Sequence, residues 1–167
     1  DLKPADIAAV HINAGLREAR HTTTLSKKYP RNAESADHSA YYANAHAIVY
    51  RSFDADSVHP ERFTDPAVLD LIEKITVEAD PTLPEFGFAG ISEIVTKDGR
   101  RFQKRVDVPH GMGDDPLTDA ELEEKFCRLA ARHMSYDRIR RILDVVWNIE
   151  ELANVNQLGA LMAFGSP

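Results

Sequence analysis

The chain has 167 residues, 43% of them hydrophobic and 28% charged, with 20 Lys plus Arg against 27 Asp plus Glu and a net charge of −7. That is the size and composition of one ordinary globular domain, which excludes disorder and needs no disulfide or metal staple. The acidic balance without a cationic block excludes a nucleic-acid footprint, and no apolar run approaches the ~20 residues that span a bilayer.

The single cysteine, Cys127, excludes an internal disulfide and a Cys-rich zinc or iron–sulfur site, and favours a cytoplasmic compartment. The start, Asp1-Leu2-Lys3-Pro4, lacks Met and does not read as a signal peptide, so a processed product or a fragment is expected.

Along the chain, Ile7 to Ala14 alternates, with Val10, Ile12 and Ala14 on one face and His11 and Asn13 on the other, as in a half-buried strand. Residues 15–31 are polar, end near Pro30 and read as an exposed loop with at most a turn of helix. From Asp37 to Arg51 there is no Gly or Pro, and Tyr41, Tyr42, Ala45, Ile48 and Val49 recur at helical spacing. Ser35 or Asp37 is the expected cap. Asp65-Pro66 opens a further helix with Val68, Leu69, Leu71, Ile72 and Ile75 on its apolar face, and a strand follows at Thr76–Glu78.

Lys97-Asp98-Gly99-Arg100 predicts a two-residue type I′ hairpin. That register pairs Val95 with Phe102, Ile91 with Val106 and Glu93 with Lys104. Residues 109–116 form a Gly/Asp/Pro loop, and Thr118-Asp119-Ala120-Glu121 is a capping box that starts a helix carrying Leu122, Phe126 and Leu129. Ser135 caps the next helix, and Asn154–Phe164 reads as a short last one. The order predicts an α+β fold, a small antiparallel or mixed sheet with packed helices, followed by C-terminal helices. Residues 1–117 form the first unit and 118–167 the helical segment.

Histidines give no metal site: His38 and His46 stand eight apart, and neither His11/Asn13 nor His59/Glu61 has zinc-helix spacing. Gly111-Met112-Gly113 is too short for a dinucleotide fingerprint, and Cys127 reads as a small core residue. The basic hairpin (Lys97, Arg100, Arg101, Lys104, Arg105) reads as a solvated edge. The densest chemistry lies in residues 27–42, where Lys27, Lys28, Arg31, His38 and two tyrosines surround a helix start. Free N–H groups and a proton-transferring imidazole there suit a carboxylate ligand.

This stretch resembles the MmgE/PrpD family, whose pattern stands here as Pro30, Asn32, Glu34, Ser35, Ala36, Asp37, His38, Ser39 and Tyr42. The resemblance extends through Leu2–Val10, Asp65-Pro66, Lys74-Ile75, Asp98-Gly99-Arg100 and Pro116–Phe126, while Tyr41 stands where the family has Pro. It implies a chorismate-mutase-like lid and terminal helices that pack on a large helical domain. It also implies a metal-independent lyase, without cofactor, acting on a di- or tricarboxylate such as 2-methylcitrate. Tyr42 and His38 are the implied catalytic residues, and Ser39, Lys27, Lys28 and Arg31 the substrate contacts. The expected partners are a larger helical chain or a second copy. A non-catalytic oligomerisation or small-molecule-binding module with the same fold is the alternative.

Overall fold

In the computed structural model, which describes residues 2–164 (for Leu25 and Ser26 the backbone alone), strands β1 (Ile7–Ala14), β2 (Ile75–Ala79), β3 (Gly90–Thr96) and β4 (Arg101–Val106) form one mixed sheet. The order is β2-β1-β3-β4, with β1 parallel to β2 and every other pair antiparallel. This is the α+β class that the sequence predicts. The described residues divide into two units between Pro109 and His110, and no helix among them is long and apolar enough to cross a membrane.

In the first unit Val10 stands opposite both Ile75 and Ile94, and Ile12 opposite Val77, so one sheet face is apolar. Onto it pack α4 (Ala40–Tyr50) and α5 (Pro66–Ile72), which bury Tyr42, Ala45, Val68, Leu71 and Ile72 against Ile7 and Val10. Asp65 caps α5 by accepting from the Ala67 N–H, with Pro66 in the first helical position. On the other face His11 Nδ1 and Thr76 Oγ1 share a 2.8 Å hydrogen bond.

Three local expectations change. Residues 15–31 are not a loop: they hold α1 (Leu16–Thr22) and α2 (Leu25–Lys28), because Ala19 finds a buried place and Lys27 Nζ donates to the His21 carbonyl, 2.6 Å away. The helix expected from Asp37 is two helices. Asn32 caps α3 (Ala33–Asp37), His38 ends it, and Ser39, not Ser35 or Asp37, caps α4.

The hairpin turn has three residues rather than two. Gly99 N–H donates to Thr96 O, Thr96 N–H donates to Arg100 O, and Gly99 adopts φ +87°, the left-handed residue of a type I turn with a bulge. Asp98 holds it by accepting from the Thr96 hydroxyl and from Arg100 Nε. The one-residue shift exchanges the faces. Ile94 now faces Phe102 and joins the core, whereas Ile91 and Val95 oppose Arg105 and Arg101. Glu93 pairs with Arg101 at 2.9 Å, not with Lys104.

In the second unit α6 (Asp119–Ala130), α7 (Tyr136–Trp147) and α8 (Asn156–Met162) follow one another. The Thr118–Glu121 capping box and the Ser135 cap form as read. Ala130, Ile139 and Leu143 make a small core with Phe126, Cys127 and Met134. His110 is clasped on both nitrogens, Nδ1 3.1 Å from Asp115 Oδ1 and Nε2 2.9 Å from Glu121 Oε1. The bond to Glu121, then that to Asp115, holds the His110 imidazole above its ordinary value. Glu121 is pulled down to about 2, chiefly by the Thr118 N–H and hydroxyl.

Two predictions follow from this packing. A Cβ on Gly15 would collide with the Pro84 carbonyl oxygen, while Gly159 in α8 faces open space. Gly15→Ala should therefore destabilise by about 1–3 kcal/mol in denaturant melts, and Gly159→Ala should stabilise by about 0.5–1 kcal/mol. The His110 clasp contributes fully below the ordinary imidazole value of 6.5 and is lost as pH rises through the raised folded value. The Glu121 contribution is full above its ordinary 4.5 and is lost as pH falls towards about 2. An NMR titration should find His110 above 6.5, and His110→Ala should remove its part of the stability loss above that pH.

Candidate functional site

A cleft of about 500 Å³ opens in the first unit between α1 and the junction of α3 with α4. Its wall carries Arg17 and His21, one turn apart on α1, and His38, Ser39 and Ala40 at the start of α4, with Phe88 across from them. That volume suits a small metabolite.

The His38 ring is oriented by its own helix. Nδ1 donates to the Glu34 carbonyl at 3.1 Å, which leaves Nε2 as the lone-pair nitrogen of the neutral ring. Carboxylate oxygens of Glu34 and Asp37 stand 3.6 and 3.9 Å from Nδ1, but both side chains are largely exposed and solvent screens them. The His21 ring meets His38 edge-on, centroids 5.9 Å apart. Ser39 is buried at 1% exposure. Its Oγ accepts from the Tyr42 N–H at 3.0 Å, and its own O–H has no acceptor among the described residues.

Of α4's first four N–H groups, Ser39 satisfies those of Tyr42 and Ala43, and the first two remain at the cleft end of the helix. Two imidazoles (His21, His38), one guanidinium (Arg17), two hydroxyls (Thr22, Ser39) and two carboxylates (Glu18, Asp37) thus line one space at a helix N-terminus. Such a set can hold a carboxylate and move a proton at His38 Nε2. Among the described residues no group of three His, Cys, Asp or Glu could hold a metal ion.

The structure brings His38 and Ser39 together in the cleft and sets the other four expected residues apart from it. Lys27 closes the end of α1 through the His21 carbonyl. Lys28 is paired with Glu73 at 3.1 Å, and Arg31 is exposed beside the α3 cap. None of the three lines the cleft.

Tyr42, expected to offer its hydroxyl to substrate, is 0% exposed and donates to the Ser57 carbonyl at 2.6 Å. Phe53, Phe63 and His46 surround its ring. Burial pushes the phenol up to about 12, so it stays a neutral donor. Ser57 lies in the wall of a second, smaller cleft of about 210 Å³, with His46 and Arg62. Arg17 and His21 are the cleft residues that sequence reading missed. Their i, i+4 spacing was present, but in a stretch read as loop.

The profile of the MmgE/PrpD C-terminal domain matches residues 1–151. The chain belongs to the MmgE/PrpD family. Cis-aconitate decarboxylase of Homo sapiens is 30% identical over 145 residues, 86% of this chain and 30% of that protein. The Mus musculus enzyme of the same name is 27% identical over 96% of this chain and 33% of its own length. A cis-aconitate decarboxylase-like protein of Aspergillus oryzae is 30% identical over 86% of this chain and 30% of its own length. The chain therefore spans about a third of the length of these MmgE/PrpD relatives.

Tyr42→Phe leaves the buried Ser57 carbonyl without its donor and should cost about 1–3 kcal/mol in urea unfolding.

Proposed function

We propose that this chain is the C-terminal part, or a separately encoded subunit, of a metal-independent cytoplasmic enzyme that processes a small di- or tricarboxylate. Cis-aconitate is the first substrate to test and 2-methylcitrate the second. The observation that carries the reading is the His38 cleft: a fixed imidazole beside an unspent hydroxyl and a helix N-terminus, within the segment that marks the family.

In a decarboxylation the C–C bond to the departing carboxylate breaks and its electron pair stays on carbon. The protonated His38 ring supplies the proton there from Nε2 and is left neutral. In a dehydration, His38 Nε2 would instead take the proton beside a carboxylate as hydroxide leaves. Ser39 donates a hydrogen bond to the substrate. Tyr42 enters as the residue that anchors α4, not as the proton donor. The remaining groups of the site would come from the two-thirds of the relatives' length that this chain does not span.

The partner reading rests on the second unit. Leu122, Phe126, Val146 and Trp147 line an apolar groove of about 250 Å³ between α6 and α7. That groove suits a larger helical chain of the same family, or a second copy. A non-catalytic module would share the groove but have no use for the His38 cleft.

The test is turnover by the assembled enzyme, followed as loss of cis-aconitate and release of carbon dioxide. His38→Gln should lower kcat by about 10²–10⁴-fold with a smaller change in KM. Unchanged kcat in that variant would assign the proton transfer to another group.

A further inference from the structure

We propose that Arg17 is the anchor for one carboxylate of the substrate. This rests on the reading of the His38 cleft as the substrate site.

Arg17 is the sole Arg or Lys among the described residues that line the cleft. A guanidinium carries five donors in a planar fork matched to a carboxylate. Four other arginines spend that fork on carboxylates, Arg100 on Asp98, Arg101 on Glu93, Arg105 on Asp107 and Arg140 on Glu123, while Arg51 and Arg138 spend theirs on backbone carbonyls. Arg17 has no such partner among the described residues, although Glu18 and Asp37 line the same cleft. Its guanidinium instead lies over the ring of Phe86, 5.3 Å from the centroid.

Phe86 is 66% exposed, so hydrophobic burial does not account for its place. A cation–π contact at an exposed site is worth less than a bidentate carboxylate pair. The guanidinium is thus parked at low cost and free to turn to an arriving anion. His21, one helical turn on, brings an imidazole to the same face, and its ring touches that of His38. One carboxylate at Arg17 and His21 therefore leaves the rest of a small acid directed at His38 and Ser39. Glu18 and Asp37 add negative charge to the same wall, so a carboxylate is held there only where a cation offsets them, and Arg17 is that cation.

The experiment is steady-state kinetics of the assembled enzyme on cis-aconitate, with the saturated tricarboxylate tricarballylate as competitive inhibitor. Arg17→Gln should raise KM and the inhibition constant together by roughly 10–100-fold, the loss of one charge-assisted pair, and hold kcat within about threefold. Arg17→Lys should recover part of the loss. The thermal midpoint should not move, because Arg17 is exposed, whereas a structural role would move it. Arg31→Gln, a cation outside the cleft, should change none of these values.

Unchanged KM and inhibition constant in Arg17→Gln would overturn the anchor while wild-type turnover keeps the broader reading. Absence of turnover on any di- or tricarboxylate by the wild-type enzyme would remove that reading, and the anchor with it.

Discussion

A two-residue break in the helical path, His38 and Ser39 between α3 and α4, decides which side chains of this segment line the cleft and which are buried. The Ser39 hydroxyl ends one helix's claim on the chain and starts the next by taking the Tyr42 N–H. With a continuous helix from Asp37 to Arg51, His38 and Tyr42 would sit one turn apart on the same face. The break separates them: His38 lines the cleft, held by the Glu34 carbonyl, while Tyr42 is buried and held by the Ser57 carbonyl. Ser39 is itself 1% exposed, so this capping bond is shielded from water and hard to replace.

The sheet supplies the platform on which that break is useful. β1 is central, flanked by β2 and β3, and its Val10 and Ile12 face α4 and α5 as one apolar surface. Because α4 is anchored there through Tyr42 and Ala45, its N-terminus stays fixed relative to α1, which follows β1 directly. Gly15 makes that close following possible, since the chain at this point runs against the Pro84 carbonyl with no room for a side chain. The cleft is thus bounded by two helix ends, both tied to the same strand.

What could be read from the residues alone was whatever local chemistry decides. Asp65-Pro66, Thr118 with Glu121, and Ser135 each satisfy helix N–H groups within three residues, and all three caps form. β1 followed from alternation. The hairpin register did not, because Asp98-Gly99 fits a two-residue loop and a three-residue loop equally. The choice is made by the Thr96–Asp98 bond and by the pairing of Ile94 with Val10, a contact 84 positions apart in the chain. α1 was missed for a similar reason: its polar face hides Ala19, whose burial is visible only once the sheet exists. Missing that helix meant missing Arg17 and His21, whose spacing has meaning only on a helix. The family motif pointed to His38 and Ser39 in the cleft, but it could not tell that Lys27, Lys28 and Arg31 turn elsewhere.

The motif thus serves two ends within five residues, and the physical chemistry of each member shows which. Tyr42 has its phenol raised to about 12 by burial and its proton committed to a carbonyl, properties that suit a fixed strut and not a proton shuttle at neutral pH. Ser39 Oγ accepts the Tyr42 N–H, and its O–H has no acceptor among the described residues. His38 spends Nδ1 on the helix and keeps Nε2. Both cleft residues thus make a structural hydrogen bond and keep further hydrogen-bonding capacity, the Ser39 O–H and His38 Nε2. The same bonds that form the fold therefore fix the His38 ring and the Ser39 hydroxyl in place, and that orientation costs no additional ordering when a ligand arrives.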